Sequence, residues 1–191
     1  VRPVLAVVIA WMLAHNILYT YIAPFVAPAG LVDRVDLVLL VFGVAALMGI
    51  WVTARLVDAA LRNTVLVSLA GFAATCLAFG FLAQVPGVIY LGVAVWGLSF
   101  GGAATLLQTA LADAAGDGAD VALSLNVVAW NSAIAGSGVV GGVLLDTWGV
   151  ASFPWAMLVL LAVGFAIVWA ARNHGFKPGH RRYGKPGLAD H

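Results

Sequence analysis

Six long apolar runs are separated along the chain by short clusters that hold almost all of its charged residues. The runs cover about 4–26, 37–57, 64–83, 88–111, 122–145 and 155–171. About 20 apolar residues suffice to carry a helix across a hydrocarbon core of about 30 Å, so each run is close to one crossing. The breaks are equally regular. Pro24 and Pro28 close the first run, and Asp33, Arg34 and Asp36 follow; Arg55, Asp58 and Arg62 close the second. Gln84-Val85-Pro86-Gly87 interrupts the chain after the third run, Asp113, Asp117 and Asp120 after the fourth, and 146–154 after the fifth. This pattern predicts an all-α membrane protein with six transmembrane helices over residues 1–172. Residues 173–191 are rich in Gly, Pro and basic side chains without apolar periodicity, and are expected to form a disordered cytoplasmic tail.

The fifth run departs from a plain lipid-facing helix. It reads ALSLNVVAWNSAIAGSGVVGGVLL, uncharged but holding Asn126, Asn131, Ser132 and Ser137. An unpaired amide costs several kcal/mol in hydrocarbon, so these side chains are expected to face protein or a wet cavity. Gly138 and Gly142 form a small-xxx-small step that lets another helix approach closely. The run therefore reads as an inner wall around which the other helices are arranged.

Composition agrees with this picture. Hydrophobic residues make up 63% of the chain and charged residues 9%, with a mean hydropathy of +1.06; a soluble domain carries roughly 45–50% apolar residues. The single cysteine, Cys76, lies inside an apolar run. It excludes an intrachain disulfide and a Cys-rich metal site, and reads as a small buried hydrophobe. The histidines are too scattered to propose as metal ligands, and neither metal nor other cofactor is expected. Val1 is not methionine and the apolar run begins at once, which suggests a fragment or a processed chain. A signal peptide fits poorly, since the first run exceeds the usual apolar core and contains His15 and Asn16.

Six crossings put both ends of the chain on one side. Arg2, Arg55, Arg62, Arg172, Lys177, Arg181, Arg182 and Lys185 fall on that side and Arg34 alone on the other. The positive-inside rule then places both termini in the cytoplasm of a multi-pass protein of the plasma (inner) membrane.

Several polar groups inside the runs are candidates for function. His15 and Tyr19 are four apart and Asn16 and Tyr19 three apart, so they share a side of the first helix. They read either as satisfied interhelical hydrogen bonds or as a patch lining a substrate cavity. In the fourth run Gly97 and Gly101 make a second close-packing step, with Thr105 and Gln108 continuing the helical spacing. Trp96 beside them either stacks on ligand or fills volume. Gly97-Leu98-Ser99-Phe100-Gly101 matches G-x-S-x-G, but that motif makes a nucleophile elbow only between a strand and a helix. No convincing acid and histidine follow it in order, and no enzymatic role is expected. Arg55, Asp58 and Arg62 read either as a gating cluster of ion pairs or as a plain topogenic cluster.

The order of these pieces resembles a known family. Tyr19-Thr20-Tyr21-Ile22-Ala23-Pro24-Phe25 looks like the seventh helix of major facilitator superfamily exporters in the drug/proton antiporter branch, which includes sugar, arabinose and purine exporters. The stretch from Phe42-Gly43-Val44 to Arg62 resembles the eighth helix and the G-x-L-x-D-R-x-G-R motif after it. Arg55, Asp58 and Arg62 align with that motif, while Ala54, Ala59 and Leu61 replace its Gly, Arg and Gly. Trp96-Gly97 through Gln108, Leu125-Asn126 through Trp130-Asn131, and Gly141-Gly142 resemble the tenth and eleventh helices. The resemblance spans nearly all of 3–172.

It implies the carboxy-terminal six-helix half of a twelve-helix transporter, built from two three-helix inverted repeats at about 4–83 and 88–171. The implied partners are the missing amino-terminal half, the lipid bilayer, a small-molecule substrate and protons, with no nucleic acid. The implied cavity wall holds His15, Asn16, Tyr19, Trp96, Thr105, Gln108, Asn126, Trp130 and Asn131, and its amides and tyrosines suit a neutral or weakly polar molecule. The aspartates here lie at or near helix ends, and in this branch the proton-coupling acid commonly belongs to the other half. The competing expectations are a non-transporting six-helix sensor or assembly partner and, more remotely, an intramembrane hydrolase.

Overall fold

The structure, a computed structural model, describes residues 1–179. Among these residues every regular element is a helix and there are no strands. Helix α1 spans Arg2–Thr20 and begins with Pro3 in its first turn, where a missing N–H costs nothing. It stops at Tyr21 because the ring of Pro24 would clash with the carbonyl of Thr20, four residues back. A short α2 (Ile22–Val26) and two 3-10 turns lead into α3 (Val35–Leu82), the longest element at 48 residues. Pro86 opens α4 (Pro86–Gly101), and α5 (Ala103–Ala115) continues it after a break at Gly102. Gly116, in the left-handed region at φ 54°, turns the chain into α6 (Ala119–Trp148). Gly149 ends α6 with φ 75°, and Pro154 lies in the first turn of α7 (Phe153–Ala170).

Four segments are long and apolar enough to cross a membrane: Arg2–Thr20, Val32–Leu82, Pro86–Trp148 and Val150–Ala170. The two middle ones are too long for one crossing. At about 1.5 Å per residue α3 would extend roughly 70 Å, more than twice a hydrocarbon core. It is broken at Ala60, whose φ of −149° and ψ of 38° are not helical. The two arms then pack on α4 in opposite directions. In the first arm, Phe42, Ala46 and Thr53 lie beside Gly97, Gly101 and Gly102, so the numbers rise together. In the second, Gly71 meets Ser99 while Phe79 meets Gly92, so they run against each other. The chain therefore folds back on itself at Ala60. No glycine or proline marks this hinge; the polar cluster Arg55, Asp58, Arg62 and Asn63 does, and Thr64 Oγ1 donates to the Ala60 carbonyl at 2.9 Å.

The centre of the bundle is α1, with ten of its 19 residues buried. It packs against α6 and α7, and α7 also packs against α3. This corrects the expectation that the fifth run organises the fold. Helix α6 fully buries only Ala122, Asn126, Ala133, Ser137 and Gly141, with Leu123, Trp130 and Leu144 among the residues half-buried beside them, and much of its remaining surface is exposed. The close approach to α6 comes from Tyr21, whose ring lies against Gly141 and beside Gly142. Its hydroxyl donates to the Gly138 carbonyl at 2.6 Å. A Cβ on Gly138 would meet nothing within 4 Å, so within this chain Gly138 offers a carbonyl rather than a packing notch.

The tail also departs from expectation at its start. The chain turns after α7, with the N–H groups of His174 and Phe176 both donating to the Ala171 carbonyl. Phe176 is fully buried in the apolar core. One large aromatic ring is enough to hold the first residues of an otherwise polar segment. The rest of the expected tail, 180–191, lies outside the described residues.

Candidate functional site

The polar groups of α1 build the most elaborate local arrangement in the bundle. Trp11, His15 and Tyr19 recur every four residues and so form a stripe facing α3 and α4. His15 is 7% exposed, and its Nδ1 accepts a hydrogen bond from Trp96 Nε1 at 3.2 Å. The acceptor role assigns the proton of a neutral imidazole to Nε2. The His15 ring stacks on Phe100 with centroids 3.5 Å apart and planes within 4°, and lies 5.5 Å from the Tyr19 ring at 26°. Behind it, Trp96 packs at 4.3 Å from Phe42 and 6.1 Å from Phe72. Aromatic pairs of this kind each contribute about 0.5–1.5 kcal/mol beyond burial, so the box is a stiff wall rather than a loose patch. Trp11 closes its far end edge-on to Phe100, with its indole Nε1 buried and without a hydrogen-bond partner.

Trp11, His15, Phe72 and Trp96 are buried, Phe42 and Phe100 are half-buried, and Tyr19 is 46% exposed. Among the described residues its hydroxyl has no hydrogen-bond partner, while its ring stacks on His15. Trp96, by contrast, is fully buried: it fills volume and orients His15, and a ligand at the exposed face would meet Tyr19 first.

The other residues expected to line a cavity fall into two groups. Thr105 and Gln108 on α5 and Asn131 on α6 are exposed, and Asn16 and Trp130 are half-buried. Asn16 and Asn131 each donate Nδ2 to the carbonyl one turn back on their own helix, Met12 and Val127, at 2.8 Å. That leaves the amide oxygens for partners beyond the helix. Asn126 is the exception: it is buried at 3% exposure and its Oδ1 has no hydrogen-bond partner. Helix α6 packs on both α1 and α5, so these groups belong to one contiguous set of three helices. The structure does not bring Asn16 into the His15 stack, although the two are adjacent in sequence.

Two glycines of α4 lie at close approach to α3. Gly97 faces the backbone of Phe42, and Gly101 that of Ala46, so α3 and α4 touch main chain to main chain. Ser99 lies on this same helix, with its hydroxyl turned back to the Val95 carbonyl at 2.6 Å. A helical serine bonded to its own backbone is not a nucleophile elbow.

The basic cluster is split by the hinge. Arg55 lies over the Trp51 ring at 3.4 Å and donates to the Trp51 carbonyl at 3.3 Å, a purely local contact. Arg62 instead reaches across to α7, donating Nη2 to the Trp169 carbonyl at 3.2 Å with its guanidinium 5.4 Å from the Trp169 ring. Asp58 lies between them in sequence and is exposed.

Sequence reasoning missed Phe42, Phe72, Phe100 and Trp11 as parts of the wall. The four-residue spacing of Trp11 from His15 and of Phe100 from Trp96 was the available signal. No protein-family model matches the chain, and no solved structure matches it.

Proposed function

We propose that this chain is the carboxy-terminal six-helix half of a membrane exporter that works by alternating access, with proton antiport as the coupling. Six crossings follow if α3 is counted as two arms across Ala60 and α4 with α5 as one broken span. The pairing of these crossings supports a two-repeat arrangement. Number them one to six in chain order. Crossing one packs on five and six, and crossing four packs on two and three, while three packs on six. The smaller contact of α5 with α6 has no counterpart of that extent between α1 and α3. Exchanging one, two and three with four, five and six nonetheless turns these pairings, the most extensive ones, into one another. That is the behaviour of two related three-helix units. The positive-inside count then puts the Arg62 end of the bundle and both termini in the cytoplasm.

The single observation that carries the transport reading is the uncovered polar face. Tyr19, Thr105, Gln108 and Asn131 are exposed on helices whose outer surfaces are largely apolar away from their ends. Such groups are costly against acyl chains and belong against protein or water. A second six-helix bundle facing α1, α5 and α6 would enclose them in a wet crevice. There the Tyr19 ring, stiffened by His15 and Phe100, offers a flat stacking surface, and the Asn131 and Gln108 amides offer hydrogen bonds to a neutral or weakly polar molecule. The break at Gly102, packed against Thr53, lies at the depth of this wall.

The test is transport by inside-out vesicles holding the chain together with its complementary half, with and without a pH gradient, using arabinose, inosine and ethidium as probes. Asn131→Ala should lower accumulation of at least one probe while the amount of protein in the membrane stays constant. Unchanged accumulation of a transported probe would remove Asn131 from the cavity, and absence of any gradient-dependent uptake would end the exporter reading.

A further inference from the structure

A second site lies at the opposite end of the molecule from the glycine turn at Gly149. Where α7 ends, Arg62, Trp169, Ala170, Arg172 and Pro178 line an open pocket of about 520 Å³. Two guanidinium groups share it, from elements 110 residues apart in sequence. Neither is neutralised within it. Arg62 spends one N–H on the Trp169 carbonyl, but its Nε is buried and has no hydrogen-bond partner. Among the described residues Arg172 has neither a hydrogen-bond nor an ion-pair partner. Arg172 is exposed, but the buried Arg62 N–H without an acceptor is unfavourable, and two like charges lining one pocket favour an anion there.

The geometry selects the kind of anion. Guanidinium groups present planar sets of N–H donors that match phosphate oxygens in pairs. The Trp169 ring, beneath the Arg62 guanidinium, limits the directions in which that fork can point. Next to the pocket, α7 exposes an apolar stripe, Trp155, Val159, Val163 and Trp169, along one side. A ligand with a phosphate at one end and hydrocarbon at the other would satisfy both features at once. Exposed tryptophan at the end of an apolar helix also marks the depth of lipid headgroups, and basic pockets between membrane helices suit anionic heads.

We propose that this pocket binds a phosphate group, supplied by an anionic glycerophospholipid whose acyl chains lie along α7. The proposal goes beyond the transport reading and requires only that the helices lie in a bilayer. A bound phosphate would tie α7 to the chain just past the Ala60 hinge, and so steady the junction between the two arms of α3.

The test is native mass spectrometry of the full chain released from detergent, titrated separately with phosphatidylglycerol, phosphatidylcholine and inorganic phosphate. Phosphatidylglycerol should bind about tenfold more tightly than phosphatidylcholine. The double variant R62Q/R172Q should lose that preference, and R62K/R172K should keep part of it, since lysine supplies charge without the fork. If inorganic phosphate binds as well as phosphatidylglycerol and displaces it, the phosphate site stands and its source is the solution rather than the bilayer. Equal binding of the two lipids by the unaltered chain, or a preference that survives R62Q/R172Q, would overturn the proposal. A photoreactive phosphatidylglycerol gives a readout that needs no variant. It should label residues 165–179 above other exposed helices, and even labelling around the bundle would also overturn it.

Discussion

Replacing Gly101 by alanine probes the contact that fixes α4 on the first arm of α3. A Cβ there would lie 2.8 Å from the Ala46 carbonyl carbon and 2.9 Å from its Cα, with the carbonyl oxygen closer still. Comfortable carbon–carbon contact is about 3.5–4.0 Å, so the two backbones must part by up to about 1 Å. Neither side can give by rotating a side chain, because the obstacle is main chain. Overpacking of this kind costs about 1–3 kcal/mol. Alanine recovers about 0.5–1 kcal/mol of backbone entropy and helix propensity, which leaves a net loss of about 1–2 kcal/mol. Gly138 supplies the control, since a Cβ at that position meets nothing within 4 Å. There the propensity term acts alone, and Gly138→Ala should be neutral or stabilising by about 0.5 kcal/mol. The assay is reversible unfolding of the chain in mixed micelles, followed by circular dichroism against the mole fraction of sodium dodecyl sulfate. The two variants should differ by about 2 kcal/mol, roughly a thirtyfold change in the folded-to-unfolded ratio. If Gly101→Ala unfolds with the unaltered chain, or Gly138→Ala falls as far as Gly101→Ala, the main-chain contact between these helices is not as described.

Two further substitutions address the wall and the tail. Trp96→Phe keeps most of the ring volume but removes the donor to His15 Nδ1; it should cost about 1 kcal/mol in the same unfolding assay, and no loss would mean that the hydrogen bond contributes nothing. Phe176→Ala empties a fully buried site and should cost about 3–5 kcal/mol, whereas an unchanged midpoint would show that the segment after α7 does not belong to the core.

The helical class and the breaks were legible because charge, proline and glycine punctuate apolar runs in ways that local physics enforces. Pro24, Pro86 and Pro154 mark helix boundaries as a missing N–H requires. The reversal at Ala60 was legible only through its charges, since nothing in Asp58-Ala59-Ala60-Leu61 forbids a continuous helix. What the sequence could not reveal was which face of each helix turns inward. In a membrane segment nearly every residue is apolar, so the periodicity that identifies a core face in a soluble helix is faint. For that reason α6, conspicuous for its amides and glycines, reads as the centre, while α1 occupies it. The same faintness hid Phe42 and Phe100, which look like any lipid-facing phenylalanine until the fold brings them to His15. The pocket at Arg62 needed the third dimension altogether, because its two arginines come from distant segments.

The central claim is that the polar face of α1, α5 and α6 looks onto water enclosed by a second bundle. Single cysteines at Tyr19, Gln108 and Asn131, in a Cys76→Ala background, test it with a membrane-impermeant thiol reagent applied to membranes that hold the chain and its complementary half. Val163 on α7, exposed and apolar, is the lipid-facing comparison. The account predicts that the three polar positions react with the water-soluble reagent and that Val163→Cys reacts only with a lipid-soluble maleimide. Reaction of all four positions with the lipid-soluble reagent alone would contradict it.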